Sequence, residues 1–92
     1  MTKSDRIQMK TRYRHIHFEE VNIPAQEMLV LSSCHYWLCK NNKDNSILGR
    51  VDYYEHWHKY VASFYDNAVF DETCLADIAD FLRQLNKSAQ SR

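Results

Sequence analysis

The feature that most constrains this chain is the apolar repeat near its C-terminus. Leu75, Ile78, Leu82 and Leu85 recur at intervals of three and four, with Ala79 and Phe81 widening the stripe. Asp77, Asp80, Arg83 and Lys87 fall largely on the other side, acids early and bases late. That period gathers the apolar residues on one face of a helix, which needs a second layer to cover it. Asp71 stands at an N-cap position, and Glu72 suits the positive end of the helix dipole. The pattern predicts a helix over 71–87, with 88–92 as a frayed tail.

The second layer has to be small. A chain of 92 residues buries only about 60–65% of the surface its unfolded form exposes, which suffices for one helix layer on one sheet. Glycine and proline each occur once, as Gly49 and Pro24, a scarcity that argues against a disordered chain or a turn-rich sandwich. Residues 12–19 alternate, with Tyr13, His15 and His17 on one side and Arg14, Ile16 and Phe18 on the other, as a strand requires. Residues 34–40 and 47–54 read as two further strands around the turn signal at 41–46, where Asn, Asp and Ser bond to nearby backbone. Between the first two strands, Asn22 and Pro24 suggest a helix entry and a helix from Pro24 to Ser32. The rival reading makes 28–39 one long buried strand.

Residues 55–66 admit two readings. With period two they form a strand at 58–66, favoured by Val, Tyr, Phe and Ser. With period 3.6, Tyr53, Trp57, Tyr60 and Phe64 share a helical face, and Asp52 and Glu55 have capping-box spacing. The strand is preferred. The expected fold is therefore a single α+β domain over 12–87, in the order β-α-β-β-β-α. It has a small antiparallel sheet of three or four strands and one or two helices on one face, preceded by a flexible basic arm at 1–11. The α-β-β-β-α part resembles double-stranded-RNA-binding domains in order. The basic first turn of the final helix is missing, however, and the acidic run Asp71 to Asp77 stands there instead, so that assignment is rejected.

Charge narrows the function. Twelve Lys and Arg balance twelve Asp and Glu, whereas a protein held on nucleic acid by phosphate contacts usually carries a basic excess. The one basic stretch is N-terminal: Lys3, Arg6, Lys10, Arg12 and Arg14 against Asp5 alone within 1–17. These five are the candidate polyanion contacts, and a solvated tail is the plainer reading. No signal-peptide h-region and no apolar run of about 20 residues occurs. The three cysteines, Cys34, Cys39 and Cys74, are an odd number and imply reduced thiols in a cytosol.

No catalytic constellation emerges. Cys34 and His35 are adjacent, so on a strand they face opposite ways. Cys74 lies near Asp71 and Asp77, which raise a thiol pKa. The single glycine excludes a phosphate-cradling loop. His15 and His17, with His56 and His58, would converge on a metal ion only if their strands were neighbours. Surface or half-buried histidines are the simpler reading, and no cofactor is expected.

The aromatic residues carry more information. Tyr53, Tyr54, Trp57, Tyr60, Phe64 and Tyr65 crowd into 13 residues, interleaved with His56, His58 and Lys59. A core this small does not absorb six rings, and exposed Tyr and Trp beside cations are what binding hot spots use. Tyr53, Tyr54, Trp57, His58, Lys59 and Tyr60 are the candidate partner-binding residues. The expected function is non-enzymatic binding to a protein or ribonucleoprotein complex, as an inhibitor or accessory factor, with no membrane involvement. The alternatives are nucleic-acid contact through the basic segment and metal binding through the four histidines.

In size and character the whole chain resembles the small counter-defence proteins of phages and mobile elements, such as anti-CRISPR inhibitors of multisubunit surveillance complexes. No motif carries this resemblance, and no residue transfers through it. It implies a large nucleoprotein partner in a bacterial host cytosol, inhibited by occupation of a surface that target DNA or a nuclease subunit needs.

Overall fold

The computed structural model describes residues 9–23 and 34–90. Four strands, β1 (Ile16–Ile23), β2 (Cys34–Asn41), β3 (Ile47–Tyr54) and β4 (Lys59–Phe64), are followed by one helix, α1 (Glu72–Gln90). The strands form a single antiparallel sheet in sequential order, β1-β2-β3-β4. The domain is α+β, as the sequence implies, but the described elements run β-β-β-β-α with one helix. The helix expected over Pro24–Ser32 lies outside the described residues. Asn22, expected to open that helix, belongs to β1 and faces His35 across the ladder.

β1 starts four residues later than alternation suggests because the chain before it folds back. Tyr13 N–H donates to the Ile16 carbonyl at 2.8 Å, and Phe18 N–H donates to the Thr11 carbonyl at 2.8 Å. Asn42, in the β2–β3 turn, fixes this fold-back. Its backbone N–H reaches the His15 carbonyl at 2.9 Å, and its side-chain amide donates to the Tyr13 and Arg14 carbonyls at 2.7 and 3.2 Å. With its nitrogen thus committed, Asn42 Oδ1 accepts from His17 Nδ1 at 2.6 Å, which places the imidazole proton on Nδ1.

Pairing sets the two faces of the sheet. Phe18 opposes Cys39, Cys39 opposes Gly49, and Gly49 opposes Phe64; Trp37, Val51 and Ala62 follow in line. This face meets α1 through Ile78, Phe81 and Leu85. Phe81 is fully buried and stacks on Phe18, with centroids 4.0 Å apart and planes 3° from parallel, while Trp37 meets it edge-on at 5.0 Å. The large Phe81 ring takes the centre of the interface. The helix is accordingly rolled so that Cys74, Ile78, Phe81 and Leu85 are buried and Leu75, expected in the stripe, is 53% exposed. At the helix start, Asp71 accepts from Cys74 N–H at 2.9 Å, the cap expected from sequence.

The other face carries polar and aromatic pairs. Lys40 is ion-paired with Glu19, Arg50 Nε lies 3.2 Å from Asp52, and the Arg50 guanidinium sits over the Tyr36 ring at 4.3 Å. Among the described residues, no helix is long and apolar enough to cross a membrane.

Candidate functional site

The β3–β4 connection is a four-residue turn, 55–58, and it concentrates the exposed aromatic surface. Trp57 N–H donates to the Tyr54 carbonyl and His58 N–H to the Glu55 carbonyl, each at 3.2 Å. These bonds coil the turn tightly, and His58 then adopts φ 55° to send the chain back along β4. For a residue with a Cβ, this left-handed conformation costs about 1–2 kcal/mol. The strand reading of this region holds, with shorter bounds than 58–66, and the helical alternative is not what forms.

Strand alternation divides the rings. Tyr53 and Tyr60 form a facing pair on the α1 side, edge to face at 5.4 Å. Tyr54 points to the opposite side, where Trp57 meets it edge-on at 5.1 Å and His56 lies 5.3 Å away. Tyr53 is 42% exposed, Tyr54 40%, Trp57 66% and Tyr65 56%; Tyr60 and Phe64 are half-buried. Edge-to-face contacts of this kind contribute about 0.5–1.5 kcal/mol each and hold rings in place without hiding them. His58 and Lys59 are exposed beside them.

A groove of about 490 Å³ runs from Trp57 along the outer edge of β4, between that strand and α1. Lys59, Ala62 and Phe64 border it on the strand side; Ile78, Leu82 and Arg83 border it on the helix side. Asn86 joins the two walls: Tyr60 N–H donates to its Oδ1 at 2.7 Å, and its Nδ2 donates back to the Tyr60 carbonyl at 3.3 Å. The sequence assigns Leu82 to the apolar stripe and Arg83 to the wet side of the helix, not to a site, and does not single out Asn86. The available signal was Asn86 itself, a poor helix former set between Leu82 and Lys87 inside an otherwise strong helical pattern.

The other candidates lie elsewhere. Lys3 and Arg6 fall outside the described residues. Lys10, Arg12 and Arg14 are exposed and adjoin β1, the sheet edge opposite β4. Lys10 is fastened to α1: its N–H donates to Gln84 Oε1 and Gln84 Nε2 donates to its carbonyl, both at 2.9 Å, while its ammonium lies 4.8 Å from the Tyr13 ring centre. The histidine pairs do not converge. His15 precedes β1 and His17 lies in it, whereas His56 and His58 sit on the turn into β4, at the far side of the sheet. Among the described residues, no group of three or more His, Cys, Asp or Glu is placed to hold a metal ion.

Two cysteines, Cys39 and Cys74, are free and buried. Burial, and then the neighbouring Cys74, pushes the Cys39 thiol up to about 12. The Cys74 thiol is also raised, first by burial and then by Asp71 and Asp77, the acids expected from sequence to raise it. Neither thiol is activated as a nucleophile. Comparison with protein-family models, with curated proteins and with solved structures finds no match to this chain.

Proposed function

We propose that this protein is a binding module, not an enzyme, and that it docks on a protein or nucleoprotein partner through the β3–β4 hairpin. The observation that carries the reading is the placement of Trp57, 66% exposed yet held edge-on against Tyr54 on a four-residue turn. Rigid Tyr and Trp rings contribute binding energy at low entropic cost, because little freedom remains to be lost. The left-handed His58 next to Trp57 supports the same reading, since backbone strain on an exposed turn persists where the turn serves a purpose. Lys59, Tyr53 and Tyr60 extend the surface down the two strands. The resemblance to counter-defence inhibitors favours a large nucleoprotein complex as that partner, with inhibition arising from a covered surface.

The test is capture from a bacterial lysate on immobilised protein, with mass spectrometry of what is retained. A hot-spot pair contributes about 2–4 kcal/mol. Tyr54→Ala together with Trp57→Ala should therefore release a protein that the parent retains, while thermal unfolding stays cooperative. If parent and double variant retain the same proteins, or if the double variant simply unfolds, the hairpin is not the contact surface.

A further inference from the structure

We propose that the groove between β4 and α1 receives an extended acidic segment of the partner, which adds to the sheet as a fifth strand. The inference rests on the hairpin reading and names the chemistry of what lies beside it.

β4 is an edge strand, and its hydrogen-bonding phase is fixed by two observations. Tyr65 N–H donates to the Leu48 carbonyl at 3.1 Å, so Leu48 and Tyr65 form a bonded pair. Bonded and non-bonded pairs alternate along an antiparallel ladder, which makes Ser63 and Val61 bonded to β3 and leaves Phe64, Ala62 and Tyr60 with their N–H and C=O groups pointing outward. The Asn86 amide on the outward groups of Tyr60 confirms the phase. Asn86 therefore closes the edge at Tyr60, and among the described residues the open stretch is Ala62 and Phe64. An extended chain laid there gains main-chain hydrogen bonds at both residues, the means by which strand addition obtains affinity.

The lining selects the segment. Ile78, Ala79 and Leu82 provide an apolar floor for alternate side chains. The charged residues that border the groove, Lys59 and Arg83, are both cations, both are exposed, and neither has an ion-pair partner among the described residues. None of the acids of α1, Glu72, Asp77 and Asp80, lines the groove, and Asp80 accepts from the Tyr13 hydroxyl at 2.8 Å on the far side of the helix. Charge complementarity thus calls for carboxylates flanking small or apolar residues. A second copy of this chain is the poorer occupant, because its own β4 edge brings another Lys59 and Arg83 to the contact.

The probe is a fluorescent decapeptide alternating Val and Glu, with the Val and Lys version as its control, titrated into the full chain by anisotropy and by amide NMR. The acidic peptide should bind, slow hydrogen exchange at the Ala62 and Phe64 amides, and dissociate as salt rises. Lys59→Glu with Arg83→Glu should weaken it by about tenfold or more and transfer binding to the basic peptide, a switch that mere loss of folding does not produce. Equal binding of both peptides, binding without protection at Ala62 and Phe64, no binding at millimolar concentration, or self-association of the free protein through β4 each overturns the inference. Failure here is separable from failure of the hairpin reading. If Tyr54→Ala, which lies outside the groove, releases the captured partner while the charge-reversed variant keeps it, strand addition is wrong and the hairpin reading stands. The converse result, read with Arg83→Glu alone because Lys59 also belongs to the hairpin surface, removes the hairpin and retains the groove.

Discussion

Asn86 treats the backbone of Tyr60 as a neighbouring strand would, accepting from its N–H at 2.7 Å and donating to its carbonyl at 3.3 Å. A helix side chain thereby ties the last turns of α1 to the sheet edge and stops the ladder from extending past Tyr60. Asn86→Ala leaves both backbone groups without a protein partner in a half-buried position. The expected cost is about 1–2 kcal/mol in urea unfolding. Faster amide exchange at Tyr60, with little change along β2, is the site-specific check. Asn86→Asp keeps the acceptor, loses the donor, and should fall between the two.

Gly49 is required by Phe64. The two residues face each other as a non-bonded pair across β3 and β4, and the Phe64 ring lies over the position a Cβ would occupy. A Cβ on Gly49 would also come within 2.5 Å of the Ser63 carbonyl oxygen, a backbone atom with no freedom to swing aside. Gly49→Ala should destabilise the fold by about 1–3 kcal/mol, in the range of overpacked cores. It should also move the ring contact between Phe64 and Phe70, now at 4.8 Å, which Phe64 side-chain NMR shifts would report.

Much of this architecture is legible in the residues, for reasons that differ by element. The 47–54 strand matches its sequence reading to the residue, its start marked by the Asn-rich turn before it, while the tight turn that ends it carries no sequence signal of its own. The final helix is legible from its 3.6 period, yet its roll about the axis is not. Leu75 and Phe81 score alike as apolar, and only the stack of Phe81 on Phe18 decides which is buried. The start of β1 is hidden because it depends on Asn42, a partner nearly thirty residues away from Tyr13 in sequence. The surplus of rings at 53–65 anticipates exposed aromatics, but the groove beside them does not appear in any local pattern. It arises where Ala62 on β4 and Leu82 on α1 meet, and each alone is an ordinary residue.

Alkaline pH should destabilise the protein from a defined point. The Cys39 thiol is raised from 9.0 to about 12, chiefly by burial, and the Tyr13 hydroxyl is raised from 10.0 by burial and by its hydrogen bond to Asp80. Both groups stay protonated when folded and ionise sooner when unfolded, so above pH 9 the unfolded chain binds fewer protons. Stability then falls as pH rises. The contribution of Cys39 is complete below its unfolded value and is lost as pH rises toward about 12. Urea midpoints should be flat from neutrality to about pH 9 and decline beyond it. Tyr13→Phe should lose about 0.5–1.5 kcal/mol at neutral pH with the Asp80 bond, and its decline above pH 10 should be shallower than the parent's.

His58 provides the clearest separation of stability from binding. Its φ of 55° is left-handed, as is that of Asn45 at 64° in the β2–β3 turn. Asn tolerates this region because its side chain bonds locally, whereas His gains less from doing so. His58→Gly removes the Cβ clash at some cost in unfolded-chain entropy, for a net gain of about 0.5–1 kcal/mol. Asn45→Gly should gain less. Both comparisons are read from urea midpoints at constant slope. If the strained turn exists to hold Trp57 against Tyr54, the more stable His58→Gly protein should bind its partner more weakly, because the relaxed turn samples other placements of the indole. A variant that gains both stability and affinity would show that the strain at His58 plays no part in presenting the ring.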